Sequence, residues 1–104
     1  PAIVSQLNGS TFSILFYSCD DPRGCQDLQL RAVFSTTSPV ELSLINDWNQ
    51  TTFMGKAYLS EETVTLVHAM AGVDGLSRFS FTRTMARWQL ALNEFRQRLT
   101  AQPE

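Results

Sequence analysis

Apolar and polar residues alternate along the first third of the chain in the period-two pattern of β-strands. One strand is predicted over residues 12–17 and another over residues 28–34, each with apolar side chains on one face. Residues 2–7 predict an earlier strand. Asn8-Gly9, which follows it, favours a type I′ hairpin turn because both residues tolerate a positive φ. We therefore predict a three-stranded antiparallel meander over residues 1–35.

A helix and two further strands are predicted after the meander. Ser38-Pro39 and Glu41 indicate a helix start, because Ser38 can cap the helix, proline suits the first helical position and Glu41 completes a capping box. The apolar stripe of this helix ends around Asn49. Residues 53–59 and 63–70 then predict two strands that are separated by a polar turn.

The last predicted element is a helix whose apolar residues recur at spacings of three and four along one face. Asp74 is its predicted N-cap. The stripe consists of Phe81, Met85, Trp88, Leu92, Phe95 and Leu99. We expect this stripe to pack on the apolar faces of the second and third strands. The order β-β-β-α-β-β-α predicts one α+β domain over residues 1–104, with a five-stranded antiparallel sheet and helices packed on it.

Cys19 and Cys25 bracket the turn segment 20–24 between the second and third strands. Antiparallel neighbours approach within the range that a disulfide requires, and closing so short a loop would stabilise the fold by roughly 2 kcal/mol. Two free buried thiols, or redox or metal chemistry, are the alternatives. The spacing differs from that of a CxxC redox motif, and a zinc site usually needs four ligands. A disulfide predicts a periplasmic or otherwise exported protein, whereas free thiols predict a cytoplasmic one.

Composition excludes two classes of function. Charged residues make up 17% of the chain and the formal net charge is −2, so the basic surplus of a nucleic-acid-binding protein is missing. No apolar run approaches the ~20 residues that cross a bilayer. We therefore predict neither nucleic-acid binding nor a membrane span. The chain has no initiator Met, and we expect it to be a processed or trimmed chain that lacks its native N-terminal segment.

No group of residues in the sequence predicts catalysis or cofactor binding. His68, the only histidine, falls inside a strand, where a half-buried structural role is the simpler interpretation. The adjacent acids Asp20-Asp21 and Glu61-Glu62 point apart in turns, and Gly72 and Gly75 are not followed by the Lys-Ser/Thr of a phosphate loop. We predict a protein that is not an enzyme and has no cofactor or metal. The arginines of the last helix form either a solvated face or a surface for an acidic partner.

Several segments of the chain together resemble one protein family. The cysteine pair precedes the strand predicted at residues 28–34. The next segment is Ile45-Asn46-Asp47-Trp48-Asn49, and it is followed by the strand segment Lys56-Ala57-Tyr58-Leu59. The last segment is Gly72-Val73, which precedes a helix that carries Trp and Phe. Over nearly the whole chain this pattern resembles the YbjN family, also called bacterial sensory-transduction regulators. The resemblance implies a type III secretion chaperone-like fold with the order α-β-β-β-α-β-β-α. The sequence opens at the first strand, and we expect the first helix of that fold to have been removed, to be disordered or to lie outside this sequence.

The resemblance implies no active site, because the family has no established catalytic residues. Trp48 and Tyr58 are candidate partner-binding residues, since Trp and Tyr are common interface anchors. Packing of Trp48 on the sheet, with Asn46 and Asn49 satisfying the helix end and the following turn, is the structural alternative for this motif.

We predict a non-enzymatic, protein-binding or chaperone-like regulatory module of bacteria. Its expected partner is another polypeptide, and we expect a homodimer. Strands at the sheet edges, and any surface left bare by the missing first helix, are the expected docking sites. The alternatives are a small-ligand sensor with a pocket between helix and sheet, and a redox protein that uses Cys19, Cys25 and His68.

Overall fold

The computed structural model describes residues 2–7, 10–20, 24–36, 39–71 and 77–101. Its elements follow the predicted order, and the five strands form one antiparallel sheet. The strands are β1 (Ala2–Leu7), β2 (Ser10–Asp20), β3 (Gly24–Ser35), β4 (Lys56–Ser60) and β5 (Thr63–Ala71), and the helices are α1 (Leu42–Thr51) and α2 (Arg78–Ala101). The predicted α+β fold class is confirmed.

The strands lie in the order β1-β2-β3-β5-β4, so β5 is inserted between β3 and β4. β1, β2 and β3 form the predicted meander. β3 also pairs with β5 over most of its length, from Asp27 opposite Ala71 to Ser35 opposite Thr63. β1 and β4 are therefore the two edges of the sheet.

The hydrophobic core lies between one face of the sheet and the two helices. Trp88, Leu92 and Phe95 of α2 are fully buried, which confirms the predicted stripe. The ring of Trp88 meets that of Phe12 edge to face, with 6.0 Å between centroids. Other members of the stripe, Phe81, Met85 and Leu99, are partly buried against the same core.

The start of α1 differs from the prediction. α1 begins at Leu42, and Glu41 before it is extended, with φ −75° and ψ 137°. Val40 packs against the core from the connection ahead of the helix. The predicted helical position of Pro39 is therefore wrong, because tertiary packing of this connection overrides the local cap signal. Ser38 lies outside the described residues.

The start of β4 also differs from the prediction, because the strand begins at Lys56 rather than at Phe53. Phe53 is 87% exposed. Gly55 has a φ of +87°, which interrupts any extended segment before Lys56, and a Cβ at this position would lie 3.1 Å from Cδ1 of Leu66. The left-handed turn that separates α1 from β4 therefore requires glycine.

The start of α2 is capped by Ser77 rather than by the predicted Asp74. The Ser77 hydroxyl accepts a hydrogen bond from the backbone N–H of Ser80 at 3.0 Å, as an N-cap serine does. The predicted cap, Asp74, lies outside the described residues, as does the predicted Asn8-Gly9 turn.

Candidate functional site

The predicted cysteine pair lies at the end of the β2–β3 hairpin. Cys19 is opposite Cys25 in the strand register, and their sulfur atoms lie at disulfide distance. Beside the pair, the Ser18 hydroxyl donates a hydrogen bond to Oδ2 of Asp27 at 2.6 Å. A pair at disulfide distance is compatible with an exported protein.

We expect this pair to be oxidised in the protein as isolated from its native compartment. Thiol labelling of the unreduced, unfolded protein should then find almost no reactive cysteine. The matched control is the same sample after reduction, which should label at both Cys19 and Cys25. Full labelling before reduction would contradict the prediction and favour a cytoplasmic protein.

His68 is half-buried on β5, as the structural interpretation predicts. Burial lowers the pKa of its imidazole below the ordinary value, so the ring is neutral at neutral pH. In the strand register His68 lies opposite Leu30. Leu30 is about 17 Å along β3 from Cys25 at the usual rise per residue. The structure thus does not bring His68 and the cysteine pair together into one site.

Trp48, a candidate partner-binding residue, lies in the core with 0% of its surface exposed. Its indole N–H donates a hydrogen bond to the Gly55 carbonyl at 3.3 Å, and its ring packs edge to face on Phe95 at 4.9 Å. The Arg98 guanidinium lies 5.0 Å from the ring centroid. Trp48 is therefore not presented to a partner at the surface. Tyr58, the other candidate, is exposed on β4.

The side chain of Asn49 forms two hydrogen bonds with the backbone of β4 at its outer edge, where a neighbouring strand would otherwise pair. Its Nδ2 donates to the Ala57 carbonyl at 3.1 Å, and the Ala57 N–H donates to its Oδ1 at 2.9 Å. Both backbone groups of Ala57 therefore point away from β5, as at a non-hydrogen-bonded position of an antiparallel pair. Lys56 Nζ adds hydrogen bonds to the carbonyls of Asn49 and Thr52 at 3.0 and 3.4 Å. We call Asn49, Lys56 and Ala57 the β4 clamp.

From the sequence, Asn49 was expected to satisfy the end of its own helix and the turn to Phe53. Its amide instead bonds a residue of the next strand, beyond the turn. The spacing of residues within a helix does not indicate a hydrogen bond between Asn49 and Ala57, because Ala57 lies in a different element. The only available signal was that Asn49 and Ala57 both belong to the segments that carry the family resemblance.

In the described ranges, no side chain is seen to bond the opposite edge of the sheet as Asn49 bonds β4. Within the part of the chain that the structure describes, no strand lies outside β1. Charged residues and prolines usually prevent an edge strand from pairing with another chain. β1 contains neither. Val4 is 69% exposed, and Ile3 is exposed as well. Among the described residues, β1 is therefore an uncharged strand at the sheet edge with no further strand paired to it.

Two surface grooves bear on the small-ligand alternative. One, of about 420 Å³, lies at the β4–β5 hairpin and is lined by Glu61 and Glu62 among others. The other, of about 470 Å³, lies between the turn after α1 and the outer side of α2. Neither of these two grooves is enclosed between a helix and the sheet, so they do not support the predicted ligand pocket.

Neither α1 nor α2 has the length and hydrophobicity of a membrane-spanning helix. Within the described ranges, no three His, Cys, Asp or Glu side chains lie close enough together to bind a metal ion.

Comparison with protein families gives a match that covers nearly the whole chain. The YbjN family model, described as "Putative bacterial sensory transduction regulator", matches residues 2–101. No curated protein and no solved structure gave a significant match. The family resemblance noted from the sequence is confirmed, and the likeness to type III secretion chaperones stays a prediction.

Proposed function

Because the chain belongs to the YbjN family of sensory-transduction regulators, we propose that it is a non-enzymatic module that binds another polypeptide. The observation that carries this proposal is the contrast between the two sheet edges. The β4 clamp occupies one edge with side-chain hydrogen bonds. At the other edge, no described strand pairs with the outer side of β1.

An extended segment can add to β1 through main-chain hydrogen bonds. Along an edge strand, alternate residues point their N–H and C=O groups outward, where they can pair with an added strand. Ile3 and Val4 lie on opposite faces of the sheet, and both are exposed. An added strand would therefore find an apolar contact on each face. Since β1 carries no charge, such binding would tolerate many partner sequences, as suits a chaperone-like module.

A second copy of the chain would supply one suitable strand. Two uncharged β1 strands meet without like-charge repulsion, and antiparallel pairing of one strand with itself gives a closed, two-fold dimer. We propose a homodimer on this basis.

The test uses a lysine at the open edge. Val4→Lys should weaken binding of a fluorescent, extended peptide of alternating Val and Thr by about tenfold, because a charged side chain blocks strand addition. Fluorescence anisotropy measures the binding. The matched control is Val33→Lys, since Val33 is also exposed, at 54%, but lies on the central strand β3. A peptide that binds Val4→Lys as tightly as the unmodified protein would exclude β1 as the docking site.

Light scattering over a range of concentrations tests the dimer with the same two variants. The unmodified protein and Val33→Lys should approach twice the monomer mass as concentration rises, and Val4→Lys should stay monomeric. A strictly monomeric unmodified protein would remove the dimer proposal. A turnover screen for hydrolase and oxidoreductase activity completes the test, and turnover abolished by changing His68 or Cys19 would overturn the proposed function.

A further inference from the structure

The outward side of α2 combines exposed apolar residues with arginines. Residues 77–93 contain three arginines and no aspartate or glutamate, in a chain whose net charge is −2. Phe79 and Leu90 of this segment are 69% and 68% exposed, and Arg83 and Arg87 between them are exposed too. This segment therefore differs in charge from the rest of the molecule.

These four residues lie on one side of the helix. Positions 79, 83, 87 and 90 follow each other at spacings of four, four and three, which places their side chains in one row. The row is about 16 Å long, or roughly three helical turns. The Arg83 guanidinium lies 5.7 Å from the centre of the Phe79 ring, so the basic and apolar groups are in contact.

Phe53 extends this row across a groove. The groove of about 470 Å³ is lined by Phe53, Met54, Arg87, Leu90 and Ala91, among others. Met54 and Ala91 are buried and form its floor, whereas Phe53 and Leu90 are exposed on its two sides. A large apolar side chain can enter between them, with Arg87 beside it. We call Phe53, Phe79, Arg83, Arg87 and Leu90 the α2 surface.

The ion pairs described for α2 lie near its C-terminal end. Arg98 is 3.1 Å from Glu94 and 3.6 Å from Asp47. Among the described residues, neither Arg83 nor Arg87 forms an ion pair. The unpaired positive charges thus lie next to the exposed apolar residues, which favours a ligand that is both acidic and apolar.

We propose that the α2 surface binds an acidic amphipathic helix of a partner protein, in a helix-to-groove contact. This inference rests on the proposed function, to which it adds a second docking site and a partner chemistry. An anionic membrane is the competing ligand for a basic amphipathic helix. Helices that lie on bilayers bury their main apolar face in lipid, whereas the main apolar face of α2 is buried in the core of this protein.

The test measures binding of two synthetic peptides by fluorescence anisotropy. One is an amphipathic helix with leucine on one face and glutamate on the other, and its counterpart has lysine in place of glutamate. The glutamate peptide should bind the unmodified protein, and binding should weaken as salt rises. The double variant Arg83→Glu/Arg87→Glu should weaken binding of the glutamate peptide by tenfold or more. The single variant Leu90→Ser should have an effect of the same size.

Arg31→Glu and Val33→Ser are the matched controls, since both residues lie on β3, away from α2. Both should bind the glutamate peptide like the unmodified protein, and urea unfolding verifies that each variant is folded. Equal binding of the lysine peptide, or no loss in the α2 variants, would overturn the proposal. Binding to phosphatidylserine vesicles but not to the glutamate peptide would assign the surface to membranes instead. Val4→Lys should leave binding of the glutamate peptide unchanged. A failure of the β1 proposal can therefore be told apart from a failure of the α2 proposal.

Discussion

Replacing Phe95 by alanine should lower the free energy of unfolding by about 3–5 kcal/mol, as expected when a large buried aromatic side chain is truncated. Phe95 is fully buried. Its ring packs on Phe34 and Trp48, with centroid distances of 5.6 and 4.9 Å. It thus joins α2 to both the sheet and α1, so its truncation would leave a cavity where these three elements meet.

A urea titration of Phe95→Ala and of Phe79→Ala, followed by circular dichroism, measures this effect. Phe79→Ala is the matched control because Phe79 is on the same helix but exposed, and its loss should cost no more than about 0.5 kcal/mol. A domain of this size has a total stability of only about 5–15 kcal/mol. A loss below about 1 kcal/mol for Phe95→Ala would contradict the packing described for α2.

Asn49→Ala should destabilise the protein by about 1–3 kcal/mol, because the N–H and C=O of Ala57 both lose their hydrogen-bond partner. The same change removes the central contact of the β4 clamp. A second sheet edge then becomes available for strand addition, so the variant should also associate more strongly than the unmodified protein as concentration rises.

Asn46→Ala is the matched control, since Asn46 is an exposed asparagine on the same helix. It should leave both stability and association unchanged. Urea unfolding and light scattering on the two variants give the two readouts. If Asn49→Ala were less stable but did not associate more strongly, the β4 clamp would stabilise the fold without preventing strand addition at β4.

Periodicity predicted the elements whose residues contact the core in a regular pattern. The alternation in residues 12–17 and 28–34 and the stripe from Phe81 to Leu99 correspond to β2, β3 and α2. One apolar face on each element was enough to indicate what packs together. Because the same pattern fits any order of neighbours in a sheet, the insertion of β5 between β3 and β4 had no signal in the sequence.

Element boundaries and the candidate site depended on contacts between distant parts of the chain. Ser38-Pro39 is a strong local helix start, yet α1 begins at Leu42. The sequence favoured packing of Trp48 on the sheet, but it left a partner-binding groove open as the alternative, because an aromatic side chain packs well in both. The role of Asn49 depends on where the turn at Gly55 brings β4. Spacing along one element cannot reveal such a contact.

The sheet order has a consequence for the chain while it is being made. β3 pairs with β5, but α1 and β4 lie between them in the sequence. A chain synthesised from its N-terminus therefore completes β1, β2 and β3 before β5 exists. Until then, the β5-facing side of the 12-residue β3 is an unpaired edge. The nascent protein thus passes through a stage in which its longest strand is open to the same strand addition that we propose for β1, and in which it is most exposed to misassembly.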